Sequence, residues 1–381
     1  MRLKIKSITI LAMCMTSLAS CNEADMLSYN QGLVSKVEIA EIWRTPGKHL
    51  AFSDLIRYGD FYYCVFREGA GHLFSGREDG IRIIHSKDGA EWHETVFFSF
   101  DNDYDLRDPK LIVTPEGRLM VYCGAILIEN GIIVDRKNYA WFSEAVSSTN
   151  VNTVSDEGSS PSGEETQPEQ EKTESEPIVF GEMTEVVLPE EAENTWLWQV
   201  RWYKNKAYGV SYATRAGACR AFLLGSDDGI EYSLITELIV PERHEAPLGI
   251  NEVAMDFDND GIMKIVARAH ITEVGMYAES PPPYDSWSQW QPLKIIIGGP
   301  IMKTFGGKTY IASRGNGTSL YRLSSNPVEV LGMAHSGMPG DTGYPGLIQV
   351  GNALWMSFYH APNLNSEGAI YLMRVWLRQG D

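Results

Sequence analysis

The side chains best suited to chemistry fall in a few short stretches of this sequence. "DLRDPKL" sets Arg107 and Asp108 side by side ahead of Pro109. An aspartate there can act as an acid or as a transition-state stabiliser, or it can form an ion pair that holds the proline turn. His72 lies in a polar loop with Gly69 and Gly71 just before it, which suits a pocket residue better than a core histidine. Trp198 and Arg201 open a strand-like run, where an aromatic ring can stack on a sugar or join the core. Asp341, three residues before Tyr344, can orient a substrate hydroxyl or end a strand. Glu252, Arg268, Arg314 and Tyr344 stand at the starts or ends of other such runs, and arginine offers planar, two-pronged donors to a carboxylate.

Residues so far apart need a scaffold that returns many segments to one point. After residue 38 the chain reads as short runs of Val, Ile, Tyr, Phe and Trp separated by Gly, Asp and Asn turns, without long helical periodicity. An all-β fold follows. A strand, a turn and a more apolar strand recur six times, from Phe52, Leu106, Leu197, Ile250, Gly299 and Thr342, at intervals of 54, 91, 53, 49 and 43 residues. A period near fifty built of hairpins predicts a six-bladed β-propeller over 39–381. The run "VEIAEIW" has no hairpin partner of its own, so it is expected to complete the last blade beside "AIYLMRVWL".

The chain has 381 residues, 44% hydrophobic and 22% charged, which excludes wholesale disorder. Its formal charge of -18 argues against a nucleic-acid partner. Nothing in the pattern calls for a cofactor, a metal or an oligomer, and a monomer is expected. "DFDNDG" reads as a hairpin turn and lacks the ligands of a calcium loop. Residues 1–20 have a basic start, an apolar run and small residues, the layout of a secretory signal. The stretch ends "LASC", which resembles the lipobox of bacterial lipoproteins and implies lipidation at Cys21, a tether over 21–38 and attachment at the cell envelope, with the outer membrane favoured. Cys64, Cys123 and Cys219 remain for the fold, and the first two read as buried thiols. The long second interval holds 146–177, with eight acidic residues and one lysine, a composition expected to stay disordered.

Two turns, "SKDGAEW" from Ser86 and "SDDGIEY" from Ser226, resemble the Asp-boxes of sialidase-type propellers. The order Glu252, Arg268, Arg314, Tyr344 resembles the sialidase set of a glutamate, two arginines and a nucleophilic tyrosine, and the resemblance runs from the first blade to the C-terminus apart from the insertion. "FREGAGH", "YDLRDPKL", "GINEVAM" and "GDTGYPGL" together resemble bacterial secreted proteins labelled exo-sialidase or glycosyl hydrolase.

What the resemblance implies is an exo-glycosidase acting on a terminal acidic sugar. Arg268 and Arg314 would grip the sugar carboxylate, while Tyr344 attacks with Glu252 as its base, and retention of configuration follows. A neutral phenol escapes the repulsion that a carboxylate nucleophile would meet from the substrate. The sequence departs from the family in blade one, where "AFSDL" holds Asp54 but no arginine; Arg67 is the candidate replacement. The family's loop aspartate is also missing, so His72, Glu68 or Asp108 would handle the leaving-group proton. Asp54, Arg107, Trp198, Arg201, Asn251 and Asp341 complete the expected substrate-binding set. The alternatives are a polysaccharide lyase acting on uronate glycans and a non-catalytic glycan-binding propeller.

Overall fold

The computed structural model describes residues 27–73, 79–100, 103–144, 178–215, 217–241, 245–323, 328–334 and 340–378. The segment expected to be a signal, Cys21 and the acidic tract 146–177 lie outside them.

Two strands come before the repeats, β1 (Leu27–Tyr29) and β2 (Val34–Arg44). Blade one is β3 (His49–Tyr58), β4 (Phe61–Gly69), β5 (Gly80–Ser86) and β6 (His93–Ser99). Blade two is β7 (Tyr104–Val113), β8 (Leu119–Glu129), β9 (Ile132–Phe142) and β10 (Thr184–Glu185). Blade three is β11 (Trp196–Tyr203), β12 (Lys206–Arg215), β13 (Ala218–Ser226) and β14 (Ser233–Glu237). Blade four is β15 (Ile250–Phe257), β16 (Met263–Ala269), β17 (Val274–Ser280) and β18 (Gln291–Ile296). Blade five is β19 (Gly298–Phe305), β20 (Lys308–Gly315), β21 (Gly317–Leu323) and β22 (Glu329–Ala334), and blade six is β23 (Asp341–Val350), β24 (Ala353–Ala361) and β25 (Ala369–Leu377). Each sheet is antiparallel, and the six form a six-bladed propeller.

Blade six has only three strands from its own hairpins, and β2 supplies the fourth by pairing along β25 from Val34↔Leu377 to Arg44↔Ala369. Closing the ring in this way covers an edge that would otherwise stay open. The expected tether is therefore too long: within 21–38, β1 adds to β22 of blade five and Val34 is fully buried. Leu27, Leu33 and Val34 supply the reason, because all three pack into the apolar seam between blades five and six.

The core is divided into six apolar clusters, one at each junction between neighbouring blades. Such sheet-on-sheet packing leaves the axis free for polar side chains. Cys64, Cys123 and Cys219 are free buried thiols. The two Ser-x-Asp-Gly turns join third to fourth strands at the blade rims, and both close alike. Ser86 Oγ donates to Asp88 Oδ1, which accepts from the amides of Ala90 and Glu91, while Gly89 has φ 76°. Asp228 accepts from Ile230 and Glu231 in the same way, beside Gly229 at φ 78°. In sequence the acidic tract falls between β9 and β10, the two outer strands of blade two.

Candidate active site

The site is built by one device repeated around the axis. Every innermost strand carries an irregularity near its start, at 51/54, 107/110, 197/199, 251/254, 298/301 and 343/346. In five of them the residue inside the bulge takes a left-handed backbone: Phe52 (60°), Asp108 (49°), Glu252 (45°), Gly299 (55°) and Tyr344 (48°). Trp198 holds the place in blade three. A bulge re-aims one side chain out of the alternation of its strand, and non-glycine residues keep positive φ only where the surroundings enforce it. Pro109, Pro300 and Pro345 each follow a bulge residue, where a missing ladder N–H costs least.

The residue just before each bulge pairs with the end of the second strand, so Arg67, Gly124, Ser211, Arg268, Arg314 and Tyr359 occupy equivalent places. This register brings the expected set together. Tyr344 Oη donates to Glu252 Oε1 at 2.9 Å, and the other carboxylate oxygen accepts from Gly299 N at 2.8 Å. Arg268 Nη1 reaches Glu252 Oε1 at 3.4 Å, and its Nη2 pairs with Glu273. Arg314 lies over the Tyr344 ring at 5.3 Å, and among the described residues its guanidinium has no hydrogen-bond partner. Three glycines make the room: a Cβ on Gly299 would stand 2.5 Å from the Tyr344 ring, and one on Gly298 or Gly343 would press on Arg314.

Burial raises the Tyr344 phenol well above its ordinary value, and the negative charges of Glu252 and Asp108 add to this against Arg314 and Arg268. The resting phenol is therefore neutral. Asp108 is pushed up to about 7, chiefly by burial, with Glu252 and Asp105 adding to it against Arg107 and Lys110. Its Oδ1 is buried without a hydrogen-bond partner. His72 is moved below its ordinary value by burial, so its ring is neutral near pH 7.

His72, Asp341 and Arg107 form a second group beside the first. His72 Nδ1 lies 2.6 Å from Asp341 Oδ2, its Nε2 lies 3.3 Å from Arg107 Nη2, and the Arg107 guanidinium covers Phe52 at 4.6 Å. His49 and Tyr359 join them, at 3.1 Å from Asp341 Oδ2 and 2.8 Å from Oδ1. Neither had been singled out in the sequence, although His49 opens the first innermost strand and Tyr359 holds the place that arginines fill in blades one, four and five.

Several expected site residues have other duties. Arg67 is fully buried and its three guanidinium nitrogens are spent on Asp105, Asp79 and the carbonyl of Gly71, so it is a strut between blades one and two and cannot grip a substrate. The third positive charge beside Tyr344 belongs to Arg107. Glu68 points to the opposite face of β4, where Arg82 binds it in two-pronged fashion and Thr45 donates to it, so it is not placed to move a proton. Asp54 accepts from the amides of Leu55 and Leu111, tying blade one to blade two. Trp198 is 1% exposed and packs on Tyr344 and Tyr212, which leaves no ring face for a sugar. Arg201 lies deeper along its strand, where it bonds the carbonyl of Val200 and faces Asp256. Asn251 flanks Arg268 in the ladder and contacts Cys219. A separate polar cleft of about 710 Å³ lies against the outer strands of blade two and the segment leading on to blade three, lined by Asp135, Lys137 and Glu190 among others, and contains none of these residues.

Comparison with solved structures gives the same architecture. Trypanosoma rangeli sialidase bound to sialic acid superposes with a TM-score of 0.61 at 11% identity, over 89% of this chain and 58% of that one. The fold is that of the sialidase propellers. A protein of unknown function from Dyadobacter fermentans matches at a TM-score of 0.67 and 16% identity, covering 92% of this chain and 99% of its own. Penicillium chrysogenum α-L-arabinanase bound to arabinobiose matches at 0.56 and 14%, covering 88% and 97%. The chain thus spans 58% of the sialidase but nearly all of the other two. No family model and no curated protein matches the sequence.

Proposed function

We propose that the protein is a retaining exo-glycosidase that removes a terminal acidic sugar from a glycan. The observation that carries this reading is the Arg314 guanidinium, which has no hydrogen-bond partner among the described residues and lies over a tyrosine whose hydroxyl is 2.9 Å from a glutamate. A guanidinium so placed is a receptor for a carboxylate at the reacting carbon. Arg314 and Arg268 bind that carboxylate. Glu252 takes the phenolic proton as Tyr344 Oη attacks the anomeric carbon, and the leaving oxygen takes a proton from Asp108. Water then cleaves the glycosyl-tyrosine bond, giving its proton to Asp108 while Glu252 returns the phenolic proton to Tyr344 Oη, and net retention results. Asp108 suits the donor role better than His72, because a carboxyl group titrating at about 7 still holds a proton near neutrality while the His72 ring does not. The likeness to a sialidase and an arabinanase supports a glycan as substrate through shared fold alone.

The test is incubation with a panel of acidic glycans, reading released products by mass. A saturated monosaccharide that Tyr344→Phe releases at a rate lower by on the order of 10³-fold or more supports the reading. Release that persists in the variant would sink it. The neutral His72, oriented by Asp341, favours a uronate lyase as second reading, and an unsaturated product would select it. We also propose lipidation at Cys21 as the means of attachment to the envelope; a Cys21→Ala protein recovered from membranes unchanged would exclude it.

A further inference from the structure

The chemistry of His49 is unusual in one respect. Its Nδ1 lies 2.9 Å from the carbonyl oxygen of Ser366, and its Nε2 lies 3.1 Å from Asp341 Oδ2. Both ring nitrogens thus face an acceptor, whereas a neutral imidazole has one N–H to give. If the carbonyl receives that N–H, a bare nitrogen lone pair points at a carboxylate. A proton or a metal cation between them satisfies both.

His72 Nδ1 lies 2.6 Å from the same Asp341 oxygen, and one ligand atom from each of the three residues falls within 4.8 Å of the others. Four-coordinate zinc holds nitrogen and oxygen ligands at about 2.0–2.2 Å, which sets neighbouring ligand atoms roughly 3.3 Å apart. The separations of 2.6 and 3.1 Å need to open by roughly 0.7 and 0.2 Å to meet this, and the two histidine nitrogens, within 4.8 Å of each other, need to settle at a similar spacing, a shift within reach of side-chain rotation. The supporting contacts are those that fix metal ligands elsewhere: the Ser366 carbonyl sets the His49 ring, and the Tyr359 hydroxyl donates to the second Asp341 oxygen at 2.8 Å.

We propose that His49, His72 and Asp341 form a binding site for one divalent transition-metal ion of the zinc class. Two imidazoles and a carboxylate favour such an ion over calcium or magnesium, which prefer oxygen ligands throughout. Three protein ligands leave a fourth position for water or a substrate oxygen, as in sites that do chemistry. His72 keeps 21% of its side chain exposed, which gives the ion a way in. Arg107 opposes the ion: once His72 binds through Nδ1, its Nε2–H faces Arg107 Nη2 at 3.3 Å. That contact is long, and Arg107 retains its bonds to the His72 carbonyl and to Asp105, so one weak hydrogen bond is given up. The site stands beside Tyr344 through Tyr359, with ring centroids 6.3 Å apart, and does not depend on the glycosidase reading.

The experiment is zinc titration of the purified, chelator-stripped protein by calorimetry, with bound metal counted by elemental analysis and cobalt substitution followed by visible absorption. The expected result is one ion per chain, a tetrahedral cobalt spectrum, and binding weakened by at least about 100-fold in Asp341→Asn and in His49→Gln. His72→Gln, at the partly exposed position, serves if either buried variant fails to fold. His93→Gln is the control, because His93 is exposed on the outermost strand of blade one, where among the described residues its ring meets only that of His85, at 5.8 Å. Absence of stoichiometric binding overturns the proposal. So does binding that survives in the His49, His72 and Asp341 variants or is lost in His93→Gln.

Discussion

Asp108 is the residue on which the proposed chemistry can be tested by pH alone. Its carboxyl group titrates near 4 in an unfolded chain and at about 7 in the folded protein. Between those values the folded protein keeps a proton that the unfolded chain has lost, so this group's contribution to stability falls as the pH rises from 4 to 7. Asparagine cannot titrate. The melting temperature of Asp108→Asn relative to the parent protein is therefore expected to improve between pH 4 and pH 8, and the alkaline limb of the pH–rate profile near 7 is expected to disappear along with most activity. Scanning calorimetry at three pH values and a pH–rate series check both; a constant difference in melting temperature contradicts the assignment. The residues misplaced from sequence share one physical cause. Arg67, Glu68 and Asp54 are polar groups at the right points of a repeat, but their partners Asp105, Arg82 and the Leu111 amide lie on other strands, and a single chain read in order does not reveal who neutralises whom.

The element that matters most is the bulge in the innermost strand. It turns Glu252 and Tyr344 toward each other from blades four and six, and it does so with a backbone that costs about 1–3 kcal/mol at each non-glycine position. Gly299 is the exception that allows this pair, since its amide holds Glu252 and its missing side chain admits the Tyr344 ring. Gly299→Ala is expected to leave a folded propeller destabilised by about 1–3 kcal/mol while lowering turnover by on the order of 10²-fold, because the ring must move to accommodate the methyl group. Denaturant unfolding and steady-state kinetics separate the two effects, and unchanged turnover would show that Tyr344 is not held as described. The starts and ends of strands were legible because the hairpin repeat marks them, and "GYPG" and "RDPK" carry a visible proline. The left-handed bulge residue was not, whether or not a proline follows it, since nothing in residue type alone announces φ near 50° at Phe52, Asp108, Glu252 or Tyr344.

For the whole molecule the decisive feature is that the first long strand of the fold closes the last sheet. Removing residues 27–44 would strip β1 and β2 together, exposing the edge of β25 and the seam that holds Leu27, Leu33 and Val34. Such a truncation is expected to abolish cooperative unfolding or to yield aggregates, as judged by calorimetry and size-exclusion chromatography, whereas a stable monomer would show that three strands suffice for blade six. The overall architecture was readable from the period near fifty residues, because each repeat is one sheet and neighbouring sheets bury one another in the same way. The register that places Arg268 and Arg314 opposite Asn251 and Gly298 follows from that regularity. The pairing of His49 with Asp341 does not, since it crosses the point where the ring closes and joins residues at opposite ends of the repeats.

The six places around the axis held by Phe52, Asp108, Trp198, Glu252, Gly299 and Tyr344 each belong to a different sheet, and the ladder on either side of the bulge sets the backbone there. Their side chains nevertheless meet, with Tyr344 touching Phe52, Trp198 and Glu252 and leaving no room for a Cβ at Gly299. A change of reaction on this ring therefore has to move through Tyr344's neighbours together, on backbones already held left-handed at five of the six places.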